Sequence, residues 1–290
     1  MNRPEDPGSP GSPGSPGSPG SPGSPGSPGV PVELRPYLTE LVGRTRAVCG
    51  ADLVSVLAVG SVALGDYRHG RSDVDVTVVV APGLPAPALT ELAGALRHPG
   101  LRCPAAGLEL VVYDADFAAR PSGEAGYLLD LNTGDGLPGK VSCDPAGAQP
   151  FWYVIDRSVA RQCGLALYGP PARRVVAAPE HPVLLGALRA SVREHEEGEG
   201  HLADNRVLNG CRSLMFCRTG RWLPKRRAAT AVAGAEPAFR ALLAAALRSF
   251  ERPRAEALPL PRDEVRAFLK RVAEGVEEAR AAAAGGAAPR

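Results

Sequence analysis

The chain has 290 residues, a formal net charge of +2, 44% hydrophobic and 5% aromatic residues, enough for two ordinary domains at roughly 100 to 200 residues each. No stretch of about 18 apolar residues is present and the N-terminus lacks a charged-then-apolar leader pattern, so a soluble, cytoplasmic chain with no membrane partner is expected. The six cysteines, at 49, 103, 143, 163, 211 and 217, show no Cys-x-x-Cys spacing and read as inert thiols in a reducing compartment, not as a disulfide framework or metal centre.

Residues 8–28 are seven consecutive Gly-Ser-Pro triplets. Glycine at every third position is collagen-like, but so few triplets without a trimerising segment do not argue for a triple helix, and residues 1–31 are expected to form a disordered tail. From Glu33 to Val48, Leu34, Leu38, Leu41, Val42 and Val48 recur at helical spacing, with Pro36 tolerated in the first turn. The stretch 53–80 follows. An apolar run, Leu53 to Val59, ends in Gly60-Ser61; a polar, turn-rich insert leads to Ser72-Asp73-Val74-Asp75, which feeds a second apolar run through Val80.

That stretch reads as strand, phosphate-gripping turn, strand. Side chains alternate along a strand, so Asp73 and Asp75 share a face and can hold the same ions. Magnesium, a hard cation that takes carboxylate oxygens and fills its other positions with water and substrate phosphates, suits such a pair. Gly60 lets backbone approach a phosphate, and Ser61 offers an amide and a hydroxyl. A triphosphate held there would lie over the aspartates.

Gly60-Ser61, eleven residues, then Asp73-x-Asp75 resembles the signature of the nucleotidyltransferase superfamily related to DNA polymerase beta. The fuller string GSVALGDYRHGRSDVD is similar to the branch that includes streptomycin/spectinomycin adenylyltransferases. The resemblance implies an α+β fold: a polymerase-beta-like nucleotidyltransferase domain with a mixed sheet over 32–171, then an all-α bundle over 172–282; residues 283–290 are expected to form a disordered tail.

Beyond a proline-rich loop at 82–87, Leu89, Leu92, Ala93 and Leu96 mark an amphipathic helix. The strand Leu108–Tyr113 then places Glu109 inside an apolar run. An unpaired buried carboxylate is costly, and a neighbouring metal removes the problem; a strand edge facing water is the alternative. The resemblance puts a third carboxylate on this strand, as metal ligand or as base toward the acceptor hydroxyl. Residues 114–150 are rich in glycine and aspartate, with 128–134 the most ordered-looking piece. Streptomycin-modifying members carry a tryptophan hereabouts, whereas Trp152 falls in the next predicted helix, Phe151 to Gly164. The phrase GLALYGPP, 164–171, stands where the family passes from its first domain to a helical one.

Beyond Pro182 four amphipathic stripes predict a helical bundle: Val183, Leu184, Leu188 and Val192; Val207, Leu208, Cys211, Leu214 and Met215; Phe239 to Phe250; Val265 to Val276. Within it, DNRVLNGCRSLMFCRTGRWLPK, 204–225, resembles the family's second block through Thr219-Gly220 and Pro224-Lys225. That resemblance gives Lys225 the role of reaching the triphosphate from across the cleft. Arg226 and Arg227 read as a solvated basic face. Asp204 is either a helix N-cap or, by resemblance, a ligand of a cationic acceptor. Glu194, Glu196, Glu197 and Glu199, with His195 and His201, read as a solvated acidic face.

The first 180 residues hold 14 Lys and Arg against 18 Asp and Glu, the remainder 19 against 13. A basic half is one mark of nucleic-acid binding, but no basic stretch is interleaved with aromatics, so the charge is assigned to a bound triphosphate and no nucleic-acid partner is expected. The resulting expectation is a monomer that moves AMP from ATP to a hydroxyl of a small cationic acceptor such as an aminoglycoside or aminocyclitol. Asp73, Asp75 and Glu109 would hold two Mg2+ ions, Gly60, Ser61 and Lys225 the nucleotide, and Asp204 the acceptor. Two rivals keep parts of this reading: an antitoxin-type enzyme modifying a protein side chain, and a regulator that binds nucleotide without turnover.

Overall fold

Valine-rich runs form the middle of a six-stranded sheet in the computed structural model, which describes residues 29–197 and 202–286. The Gly-Ser-Pro triplets, Glu199, His201 and residues 287–290, on which expectations above fall, lie outside the described residues. In chain order the first part comprises α1 (Arg35–Cys49), β1 (Leu53–Ala58), α2 (Gly60–Ala63), β2 (Val74–Val80), α3 (Ala86–Leu96), β3 (Leu108–Asp114), α4 (Ala115–Ala118), β4 (Leu129–Thr133), β5 (Lys140–Ser142), α5 (Pro150–Cys163), β6 (Leu165–Tyr168) and α6 (Ala172–Val175). Strand order is β5-β4-β3-β2-β1-β6. β2 and β3 run parallel and every other neighbour is antiparallel; the parallel pair needs a crossover, which α3 supplies.

Alternation along the central strands sorts the two faces. Val74, Val76, Val78 and Val80 with Leu108, Leu110 and Val112 bury one face against Leu38 and Leu41 of α1 and Leu89, Leu92 and Leu96 of α3, each such side chain contributing roughly 1.5–3 kcal/mol when fully buried. The opposite face therefore carries Asp75, Thr77, Glu109 and Val111. α5 covers part of that face, with Tyr153 packed in one cluster with Val79 and Tyr113.

The second part is helical: α7 (His181–Glu197), α8 (Ala203–Thr219), α9 (Lys225–Ala235), α10 (Arg240–Phe250) and α11 (Arg262–Ala284). Its core joins Leu185, Leu188, Leu208, Leu214, Leu243, Phe268 and Val272, and it takes in Phe151, Val154 and Val159 of α5. α5 is thus the shared wall between sheet and bundle.

The α+β expectation holds, with four differences of detail. Helix α9 adds a fifth member to the bundle: it buries only Ala228, Ala229 and Val232, too small an apolar stripe to register as periodicity. Strand β4 forms on the ordered-looking piece 128–134, while β5 and β6 flank the sheet where the glycine- and aspartate-rich stretch and the domain-closing phrase read as irregular chain. Val30, inside the stretch 1–31 assigned to the tail, is 2% exposed and packs with Leu34 in the sheet core. α11 runs through Ala284, two residues beyond 282, as its alanine-rich end favours helix. Among the described residues, no helix is long and apolar enough to cross a membrane.

Candidate active-site cleft

Where the open sheet face meets the bundle lies a cavity of about 470 Å³, a size ordinary for small-molecule sites. Its walls come from α2, β2–β5, α5, α7, α8, the start of α9 and the end of α10.

The acidic wall follows from the sheet. Val59 N–H donates to the Asp75 carbonyl at 3.0 Å, and the chain then turns at Gly60 with φ 53°. A Cβ at Gly60 would stand 1.8 Å from Asp75 Oδ2, so the absence of a side chain is what lets this carboxylate lie against the turn. Asp75 is registered directly opposite Glu109, and Glu109 opposite Asn132. Glu109 therefore sits mid-sheet, not at a strand edge. Asp73 joins on the same wall, its Oδ2 3.5 Å from Arg254 Nη1. The Ser61 hydroxyl is buried without a hydrogen-bond partner among the described residues, on the cavity wall.

Crowding shows in the ionisation. Desolvation, then the charges of Asp73 and Asp156, push Asp75 up to about 8, against the pull of Lys225 and Arg212. Glu109 is raised well above its ordinary value by desolvation first and by Asp73, Asp75 and Asp156 next. Asp156, on α5, is pushed up to about 6, again chiefly by desolvation. Its carboxylate is open to the cavity yet walled by protein, and it makes no hydrogen bond or ion pair among the described residues. A cation bound here would relieve these carboxylates. Among the described residues, no three His, Cys, Asp or Glu side chains form a ready-made metal centre. The fit to magnesium accordingly rests on the Asp73 and Asp75 oxygens together with water and phosphate, the mixed set that ion prefers.

The basic wall comes from the bundle. Lys225 opens α9; its Nζ donates to Asn205 Oδ1 at 3.2 Å and lies 5.4 Å from the Phe250 ring centroid. Burial lowers its pKa, Arg212 and Arg71 push the same way, and Asp73 and Asp75 oppose them. Arg212 is likewise lowered by burial and supported by Asp156 and Asp75. Asn205, Asn209 and Arg212 are spaced i, i+4, i+7 and line one side of α8. One turn beyond Asn205, Asn209 Nδ2 meets His195 Nε2 at 3.2 Å, and the His195 and Trp152 rings are 5.5 Å apart.

Gly60, Ser61, Asp73, Asp75, Glu109 and Lys225 are thus brought together; Asp204 is not among them. It is 1% exposed, with Oδ1 accepting from Arg71 Nη2 at 2.6 Å and Oδ2 from Ser249 Oγ at 2.5 Å. Leu202, not Asp204, is the N-cap of α8. Both expectations for Asp204 are therefore corrected: one position from Asn205 is about 100° around a helix, which turns Asp204 into the junction with Arg71 and α10. Arg226 is also no free solvated charge, since its Nε donates to Asp66 Oδ1 at 2.6 Å and its backbone N–H to Oδ2 at 3.3 Å. Of the acidic run, Glu194 and His195 line the cavity, and Trp152 lies on the same wall. Asp156, Arg212, Asn205 and Asn209 were not foreseen. The polar stripe of 205, 209 and 212, running beside the apolar stripe of α8, was the signal available for three of them.

Residues 175–275 match the family model described as aminoglycoside adenylyltransferase, C-terminal domain. Among solved structures, spectinomycin adenyltransferase AAD(9) from Enterococcus faecialis, crystallised with ATP and spectinomycin, is similar at a TM-score of 0.61 and 17% identity, over 83% of this chain and 98% of that chain. Curated proteins gave no match. The matched segment carries Asn205, Arg212 and Lys225, and the likeness in fold spans sheet and bundle. Together they relate the bundle to that family's C-terminal domain and the two-part fold to that structure.

Proposed function

We propose that this protein transfers AMP from ATP to a hydroxyl of a small cationic acceptor of the aminoglycoside or aminocyclitol class, with release of pyrophosphate and dependence on magnesium. The observation that carries the reading is the division of one cavity into an acidic wall on the sheet and a basic wall on the bundle. The ATP and spectinomycin of the structural neighbour support the choice of both substrates, and a small polar cavity suits a drug-sized acceptor better than a protein side chain.

Gly60 and Ser61 present backbone and a free hydroxyl to the phosphates, while Lys225 and Arg212 offset the charge that grows on the departing pyrophosphate. Asp73 and Asp75 would hold magnesium, with Glu109 as a further ligand candidate, and the metal when bound stabilises charge on the attacking and leaving oxygens. Glu109, whose raised pKa suits a proton acceptor, takes the hydroxyl proton as the acceptor oxygen bonds to the α-phosphorus and the bond to the β-phosphate oxygen breaks. Asp156, open to the cavity and unpaired, receives an ammonium of the acceptor. A nucleotidyltransferase domain at 32–171 and a closing domain at 172–282 each supply one wall, so isolated halves are inactive.

The test is magnesium-dependent pyrophosphate release from ATP across a panel of aminoglycosides and aminocyclitols, with Asp75→Asn as control. Release with one drug class, lost in the variant, supports the reading and names the acceptor. ATP binding with no release for any drug shifts the assignment to a protein acceptor or a regulator without turnover.

A further inference from the structure

We infer that Arg71 is an additional polyphosphate-binding residue of the cleft, and that Asp204 and Ser249 serve to aim it; this rests on the nucleotide reading above. Arg71 stands two residues before Asp73, in the insert between β1 and β2, and its side chain is 2% exposed. Its guanidinium is only half engaged. Nη2 donates to Asp204 Oδ1 at 2.6 Å, and Asp204 is in turn fixed by the Ser249 hydroxyl. Nη1 is buried with no hydrogen-bond partner among the described residues. Buried charged donors are seldom left so, and each such case asks for a ligand or a structural reason.

The surroundings point to an anion with several oxygens. The guanidinium carbon lies 5.5 Å from the Phe250 ring centroid, and Lys225 Nζ lies 5.4 Å from the same ring. Arg71, Lys225 and Phe250 all line the cavity, and Arg71 is among the charges that push the Lys225 pKa down. Two cations meeting around one ring, with Asp204 answering one end of one of them, leave positive charge for a bound chain of phosphates. A guanidinium can split its fork, anchoring one amino group and presenting the other; an ammonium cannot. Asp204 is thus a positioning residue, which accounts for its burial at the edge of the site.

The test uses the full chain and titration calorimetry with ATP, AMP and pyrophosphate. Arg71→Lys keeps the charge opposite Asp204, hence the fold, but removes the second arm. Its Kd should rise about 10- to 100-fold for ATP and for pyrophosphate, with AMP changed by less than about twofold. Asp204→Asn should show the same pattern at reduced size, with a raised ATP KM and an unchanged acceptor KM. ATP affinity within twofold of wild type in Arg71→Lys, or equal losses for ATP and AMP, overturns the inference. An Arg71-dependent preference for ATP over AMP in a protein that releases no pyrophosphate with any drug retires the acceptor reading and leaves this subsite standing.

Discussion

Gly60→Ala is the sharpest single perturbation of the cleft. The new Cβ would stand 1.8 Å from Asp75 Oδ2 and 2.5 Å from its Cγ, where ordinary contact begins near 3.4 Å. The carboxylate must therefore retreat by roughly 1.5 Å, and displacements of about 1 Å in a catalytic constellation cost on the order of 100-fold. We expect a loss in kcat of at least that size. The positive φ adds strain of about 1–2 kcal/mol for a residue with a Cβ, which lowers Tm by about 2–8 °C. Gly220→Ala is the control: it has φ 65° at the C-cap of α8, nothing within 4 Å of its Cβ, and no place on the cavity wall. It should lose comparable stability and keep its activity. The assay is pyrophosphate release at matched folded fraction, with urea melts alongside. Gly60→Ala retaining activity within about twofold of Gly220→Ala would refute the argument that Asp75 must rest against that turn.

Two further outcomes follow from the acidic wall. Asp75 is held at about 8 in the folded chain against 3.8 ordinarily, so between those values the native state binds more protons than the unfolded one, and stability falls as pH rises through the window. In urea melts without magnesium, Asp75→Asn should therefore gain on the wild type steadily from pH 4 to 8, and added magnesium should close the gap from the high-pH end; a gap independent of pH contradicts the assignment. Asp156→Asn should raise the acceptor KM about 10-fold or more, the size of one charge-assisted contact, with the ATP KM within about twofold. Equal effects on both substrates would remove Asp156 from the acceptor side.

Much of the fold was legible because strand runs such as Val76 to Val80 sit between glycine-containing breaks and are apolar but for Thr77, and buried throughout. Period two alone put Asp73 and Asp75 on one face. It did not give the register that sets Asp75 against Glu109, which depends on how β2 and β3 pair. α9 escaped notice since alanines cover its buried side. Asp204 shows a different limit: a motif block fixes residue types to within a position, while a helix turns about 100° per position, enough to exchange a cavity-facing Asn205 for a junction-facing Asp204. Asp156 and Arg212 occupy what looks like the solvent side of amphipathic helices, and only the packing of α5 and α8 turns those sides toward a shared cleft.

The ionisation of the cleft belongs to the junction and not to either part. Lys225 is pushed toward neutrality by burial, Arg212 and Arg71 and held charged by Asp73 and Asp75, while Asp75 is pushed toward neutrality by burial and its acidic neighbours and held charged by Lys225 and Arg212. Each wall is therefore the other's counter-charge. The insert between β1 and β2 keeps them in apposition: Asp66 binds Arg226, Arg68 Nη2 donates to the Glu251 carbonyl at 3.2 Å, Arg71 binds Asp204, and Arg254 donates its backbone N–H to Gly70 at 3.0 Å while its side chain reaches Asp73. Each bond contributes about 1 kcal/mol, so no one of them closes the cleft, but all start within eight residues of Asp73 or on it. The bundle thereby sets where the aspartates stand as well as supplying the lysine, and loosening it would misplace the acidic wall even with every strand intact.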